Sequence, residues 1–244
     1  MGLAMPFQTS DRAVVNVGND SAWLRPAPHG DAPINDQRAV VAIIDDEEVV
    51  REALRGLLET IELKVDLFRS VDEFLQANQS QAPNCIVLDV RLPGPSGLEF
   101  QTQLAAANSQ AQIVFITGHG DIPMSVHAMK AGAVDFLTKP FRDQDLIDAV
   151  RRGITHDRAR RAEEKAKTEL RTRFASLTPC ERETMALLTA GRSAKQIAGQ
   201  MGVSPVTARV HRNHIMRKMG ARSVADLVRM ADKLGGPSSN QPSV

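Results

Sequence analysis

The chain has 244 residues, enough for two domains of ordinary size, and 42% of them are apolar, the proportion of globular protein. No apolar run approaches the ~20 residues of a membrane-spanning helix, no basic segment followed by an apolar one marks a signal peptide, and Cys85 and Cys180 are too few for a disulfide framework or a zinc cluster. A reducing cytoplasm suits such a chain. The net charge of +1 hides a split, net −6 over residues 38–140 and net +6 over residues 177–244. The split suggests cations or a basic protein as partners for the first part and nucleic acid for the second, or else simple scatter of surface charge.

Residues 1–37 lack sustained periodicity and contain Pro6, Pro26, Pro28 and Pro33, so a largely disordered tail is expected. From Val40 strands and helices alternate. Residues 40–44 are a continuous apolar run, as in a parallel strand buried on both faces. A helix follows with Val50, Leu54, Leu57 and Leu58 on one side. Then come strand 65–68, helix 71–77, strand 85–88, helix 98–107, strand 113–117, helix 125–131, strand 134–137 and helix 143–154. Five such units in residues 38–155 predict one doubly wound α/β domain. Its functional crevice lies beyond the carboxyl ends of the strands. Cys85, inside an apolar strand, is expected to be a buried thiol.

Residues 156–176 continue as helix without Pro or Gly. Val150, Ile154, Ala159, Ala162, Ala166, Leu170, Phe174 and Leu177 recur at intervals of three to five. A solvated linker and a helix that also pairs with a second subunit both fit. Residues 177–235 read as four helices with clear punctuation: Thr178-Pro179, Ser193, Ser204-Pro205 and Ser223 start them, and Gly191, Gly202 and Gly220 stop the first three. Residues 236–244 are Pro/Ser/Asn-rich, and disorder is expected there.

Five side chains converge on the carboxyl edge of the predicted sheet. Asp45 and Asp46 end the first strand, Asp89 the third and Thr117 the fourth, and Lys139 follows the fifth. Three carboxylates in one pocket repel unless a cation enters, and hard oxygen ligands suit Mg²⁺. A metal with a carboxylate, a hydroxyl and an ammonium is a phosphoryl-transfer arrangement. Asp89 is the expected nucleophile, with Mg²⁺ and Lys139 offsetting charge and Thr117 bonding a phosphoryl oxygen. These residues sit in IIDDEE, CIVLDVRLPGPSGLE, VFITGHGD and AVDFLTKPF, and residues 38–155 thereby resemble the receiver domain of two-component systems. The segment TGHGDIPMSVHAMKAGAVDFLTKPF is especially similar to the FixJ-like subgroup. The resemblance implies a flavodoxin-like (βα)₅ fold and a sensor histidine kinase as partner. It also implies a Mg²⁺ site of Asp45, Asp46, Asp89 and the Arg91 main-chain carbonyl, and a switch pair of Thr117 and Phe136. His119 is expected at the pocket rim, either as a passive residue or as a tuner of phosphate lifetime.

In the last domain a short helix, a four-residue turn and helix 205–219 have helix-turn-helix spacing. Arg209, Arg212, Arg217 and Lys218 give the second helix a basic side. Ile197, Met201, Val203, Val206, Val210, Ile215 and Met219 could close a small core, although Val210 could face either way. Arg209 and Asn213, one turn apart, are types that read base edges. Thr207, Arg212, Lys195 and Arg217 suit phosphates. A solvated basic face on a protein-binding bundle is the alternative. LTPCERE, SAKQIA and SPVTARVHRNHIMRKMG make residues 177–234 similar to the LuxR/NarL-type DNA-binding domain. That resemblance implies that Arg209, Val210 and Asn213 face bases. Cys180, Ala194, Val206 and Ala208 depart from the residues frequent in that family.

The reading is therefore a transcriptional response regulator activated by phosphorylation of Asp89. It is not an enzyme beyond its own aspartyl phosphorylation and dephosphorylation. It acts on double-stranded DNA with RNA polymerase as a further partner, dimerises on phosphorylation, and is cytoplasmic with no membrane attachment. A phosphatase or phosphotransferase with a diffusible substrate and an interaction module without DNA are its rivals; no second domain or cap is visible in the sequence to bind a small substrate.

Overall fold

The computed structural model describes residues 39–77, 82–118 and 122–235, in two compact units that divide between Asp157 and Arg158. The expectations for residues 1–37, His119 and residues 236–244 lie outside the described residues. In the first unit the strands are β1 (Val40–Ile44), β2 (Lys64–Phe68), β3 (Cys85–Asp89), β4 (Ile113–Thr117) and β5 (Asp135–Thr138), all parallel in the order β2-β1-β3-β4-β5. The chain moves outward from β1 to β2 and then crosses back to β3. The crevice at the carboxyl ends of β1 and β3 is thus the topological switch point, where such sheets bind ligands.

Every residue of β1, β3 and β4 is buried, which is why their sequences are unbroken apolar runs. Alternate side chains supply two cores. Val41, Ile43, Val87, Val114 and Ile116 pack with Leu54 and Leu58 of α1 (Glu48–Glu59) and with Leu146, Val150 and Ile154 of α5 (Asp143–Ala175). Ala42, Ile44, Ile86, Leu88 and Phe115 pack with Phe74 of α2 (Val71–Gln76), Phe100 and Leu104 of α3 (Gly97–Ala106) and Ala128 of α4 (Ile122–Lys130). Each fully buried Leu, Ile or Phe contributes about 1.5–3 kcal/mol. Burial pushes the Cys85 thiol up to about 12, so it serves as an inert core residue.

One boundary differs from expectation by more than a residue. Helix α4 begins at Ile122, three residues before the expected start at residue 125. Pro123 falls in its first turn, where a missing N–H costs no helical bond. Helix α5 is a single element from Asp143 to Ala175, joining the expected helix 143–154 to the expected linker. Asp157 on α5 is 2% exposed and accepts from Asn84 Nδ2 at 2.7 Å, while Asn84 Oδ1 accepts from the Val40 N–H at 2.9 Å. This buried polar link ties α5 to the amino ends of β1 and β3. Farther along, Ala159, Ala162 and Ala166 are exposed.

In the second unit Leu170 and Phe174 of α5 and Leu177 join a core with α6 (Pro179–Thr189), α7 (Ala194–Met201), α8 (Pro205–Met219) and α9 (Val224–Lys233). The side chains of Thr178, Ser193, Ser204 and Ser223 each accept from the backbone N–H three residues on, contributing about 1 kcal/mol apiece. Gly202 takes a left-handed φ of 66° at the end of α7, which makes the sharp turn into α8 possible. Ile197, Ala208, Ile215, Met219 and Leu227 fill the centre, with Met201 and Val203 partly buried against them. Val206 and Val210 do not join it: they are 69% and 45% exposed. The core side of α8 is set by Ala208, Ile215 and Met219 at i, i+7 and i+11, and both valines fall off that stripe. Among the described residues no helix is long and apolar enough to cross a membrane.

Candidate phosphoryl-acceptor pocket and nucleic-acid interface

At the switch point Asp45 is fully buried just past β1 and Asp89 is 5% exposed at the end of β3. The Lys139 ammonium lies between them, donating to Asp45 Oδ2 at 2.8 Å and to Asp89 Oδ2 at 2.9 Å. The other oxygen of each carboxylate accepts a backbone N–H two residues on. Glu47 donates to Asp45 Oδ1 at 2.9 Å and Arg91 to Asp89 Oδ1 at 2.8 Å. Lys139 is held in turn by its own N–H, which donates to the Thr117 carbonyl at 2.7 Å. Thr117 is fully buried at the end of β4. Its register partner is Thr138, and the partner of Phe136 is Phe115, so Thr117 and Phe136 lie on adjacent strands offset by two residues. The half-buried Phe136 ring tilts against Phe115 at 6.1 Å between centroids and packs on the same core as Ala128 of α4.

Electrostatics follow from this crowding. Burial pushes the Asp89 carboxyl above its ordinary range, against the opposing pull of Lys139 and the Arg91 N–H. Burial would lower Lys139, but its hydrogen bonds to Asp45 and Asp89 outweigh that and hold it raised, so the ammonium stays charged. Asp46 is exposed, and one oxygen from each of Asp45, Asp46 and Asp89 lies within 4.8 Å of the others. These are hard oxygen donors. Each oxygen of Asp45 and Asp89 has one donor bound and retains a lone pair, so the set fits a small divalent cation such as Mg²⁺.

Sequence reasoning missed Gly97. A Cβ there would meet the Asp89 carbonyl oxygen at 2.5 Å, so only glycine lets the start of α3 close against the end of β3. The signal was the glycine itself, one residue after the Ser96 cap whose capping box with Glu99 opens α3.

In the second unit α6, α7 and α9 all pack against α8. Val206, Arg209, Val210, Asn213 and Arg217 are all exposed. At 3.6 residues per turn they share about 100° of arc on one face. Arg212 is exposed off that arc, and Lys195 is exposed on α7. Thr207 is half-buried, its hydroxyl 2.9 Å from that of Ser204 at the start of α8. Lys218 is not part of the basic side: it turns toward α6 and donates to the buried Glu181 at 2.6 Å. Cys180 meets His211 of α8, with Sγ 3.7 Å from Nε2.

A parallel (βα)₅ unit with an acidic pocket at its switch point, followed by a helix-turn-helix with a basic outer face, is the architecture of a receiver joined to a DNA-binding module. Known proteins agree with that assignment. Residues 41–151 match the family described as "Response regulator receiver domain", and residues 175–231 match "Bacterial regulatory proteins, luxR family". The chain is 47% identical over 198 residues to "Nodulation protein W" of Bradyrhizobium diazoefficiens, spanning 81% of this chain and 87% of that protein. It is 44% identical over 191 residues to "Transcriptional regulatory protein FixJ" of Azorhizobium caulinodans, spanning 78% and 90%. Among solved structures, response regulator StyR superposes with a TM-score of 0.74 at 44% identity, over 81% of this chain and 100% of that one. The chain belongs to the transcriptional response regulators of two-component systems, with a receiver domain and a luxR-type DNA-binding domain.

Proposed function

We propose that a sensor histidine kinase phosphorylates this regulator on Asp89, and that the phosphorylated form binds double-stranded DNA as a homodimer in the cytoplasm and acts on RNA polymerase there. The working parts are a receiver over residues 38–155, a helical linker over 156–176 and the DNA-binding domain over 177–235. The reading rests above all on the Lys139 ammonium placed 2.8 Å from Asp45 and 2.9 Å from Asp89. A carboxylate oxygen of Asp89 attacks the phosphorus of a phosphohistidine. The P–N bond breaks, its electron pair returns to the imidazole, which takes up a proton, and an acyl phosphate forms. Lys139 neutralises charge as the phosphoryl group arrives, and the Thr117 hydroxyl bonds one of its oxygens. Asp45, Asp46, Asp89 and the Arg91 carbonyl would hold Mg²⁺, which supplies further charge neutralisation when bound. The only turnover is of this acyl phosphate.

Thr117 moving toward the phosphoryl group gives the Phe136 ring room to turn inward, which alters the surface of α4 and β5. That surface carries Ile122, Val126 and Met129, which are 79%, 44% and 45% exposed at i, i+4 and i+7. An exposed apolar stripe of this kind suits burial between two copies. The expected result by sedimentation is a monomer that becomes a dimer on treatment with a phosphoryl mimic. Val126→Glu abolishes the shift and leaves labelling of Asp89 intact. A phosphorylated chain that stays monomeric on and off DNA rejects the dimer.

On DNA, Arg209, Val210 and Asn213 face bases, and Thr207, Arg212, Lys195 and Arg217 contact phosphates. Footprinting on genomic fragments with and without a phosphodonor tests the whole reading. Arg209→Ala costs about 1–3 kcal/mol at the preferred site and flattens discrimination between sequences. Weakening by the same factor at every sequence would make Arg209 a phosphate contact instead.

A further inference from the structure

Two exposed valines stand on the charged face of α8. Val206 is 69% exposed and Val210 45%, while Ala208, Ile215 and Met219 of the same helix are 2% exposed or less. The core is therefore complete without them. Val206 falls near the centre of the arc that holds Asn213, Arg217, Val210 and Arg209, so it faces the same surface as Arg209 and Asn213. Resting on the reading of α8 as the helix that enters the major groove, we infer that Val206, together with Val210, reads the C5-methyl groups of thymines.

The chemistry of the groove supports this choice. A valine neither donates nor accepts a hydrogen bond, and the C5-methyl of thymine is the apolar group that a base pair presents in the major groove. Opposite a cytosine or adenine amino group a valine would strip water from a donor and replace it with nothing. Val206 and Val210 are about 6 Å apart along the helix axis, roughly two base-pair steps. Arg209 lies between them in sequence. The half-site thus carries two thymines about two steps apart, close to the base that Arg209 reads.

The test uses the full-length protein, treated with a small phosphodonor, to select its preferred duplex from a random library. Each thymine of that duplex is then replaced singly by deoxyuridine, which removes only the methyl group and leaves pairing unchanged. Two replacements in each half-site are expected to weaken wild-type binding about threefold to fivefold each, the effect of one buried methyl. In Val206→Ala one of these two effects disappears, and in Val210→Ala the other. Both side chains are exposed, so the helical content and melting of the variants match wild type. If the selected duplex is bound tightly and no deoxyuridine replacement matters, or each matters equally in wild type and both variants, the methyl contact is overturned and the DNA-binding reading stands. A library that yields no enriched sequence, with no footprint on any fragment, overturns both.

Discussion

Asp89→Asn protein is expected to take up no label from a small acyl phosphate in the presence of Mg²⁺, whereas wild type should be labelled on the peptide that contains Asp89. The substitution removes the proposed nucleophile and little else. Asn is isosteric with Asp and its side-chain oxygen still accepts the Arg91 N–H, now 2.8 Å away. Lys139 keeps its 2.8 Å bond to Asp45. An amide oxygen lacks the charge to attack phosphorus, so the loss is complete rather than graded. One of three crowded carboxylates disappears, and the melting temperature is expected to hold or rise. Neither neighbour substitutes well. Asp45 is fully buried with both oxygens bonded, and Asp46 is exposed, while the Lys139 ammonium bonds Asp45 and Asp89. Peptide mapping that finds label persisting in Asp89→Asn, on Asp45, Asp46 or elsewhere, would sink the assignment of Asp89.

The parts of this pocket that the sequence made visible are those that depend on strand ends. An unbroken apolar run fixes a buried parallel strand, and the first polar residues after it must emerge at the carboxyl edge, so Asp45, Asp46, Asp89 and Thr117 were placed by counting. Gly97 was not, because its reason is a close approach between α3 and the Asp89 carbonyl that no local pattern encodes. The Asn84–Asp157 link is of the same kind, joining residues 73 positions apart in the chain. On α8 composition misled. Val206 and Val210 are apolar and Lys218 is charged, yet the valines face out and the lysine turns in. The helix phase, carried by the small Ala208 with Ile215 and Met219, was the better guide, but a buried alanine is a weak signal next to an exposed valine. The start of α4 lies ahead of the expected residue 125, since the first turn tolerates Pro123.

Glu181→Gln should destabilise the second unit by about 1.5–3 kcal/mol at neutral pH, the range for hydrogen bonds to a charged group. The carboxylate is 4% exposed at the start of α6, where its Oε2 accepts the Thr178 N–H at 2.8 Å and the Lys218 ammonium at 2.6 Å. His214 Nδ1 lies 3.9 Å from its other oxygen. Lys218 first, and the Thr178 N–H second, hold Glu181 down at about 2 against an ordinary value of 4.5. A depressed folded-state pKa sets the sign. The contribution is complete above about pH 4.5, where the unfolded carboxyl is also ionised, and is lost as pH falls toward 2. The gap in stability between wild type and Glu181→Gln therefore stays constant from pH 7 to 5 and closes between about 4.5 and 2. Amide exchange in α6 and α8 of the full-length protein reads this gap. Lys218→Met leaves the buried carboxylate without its cation. Its pKa then rises, and the acid loss of stability begins at higher pH. The same variant should weaken DNA binding at all sequences alike, because Lys218 fixes α8 against α6 and Arg209 and Asn213 ride on α8. A gap between wild type and Glu181→Gln that does not change from pH 6 to pH 2 would mean that Lys218 does not hold Glu181 in solution, and that packing of Ile215 and Met219 alone sets the position of α8.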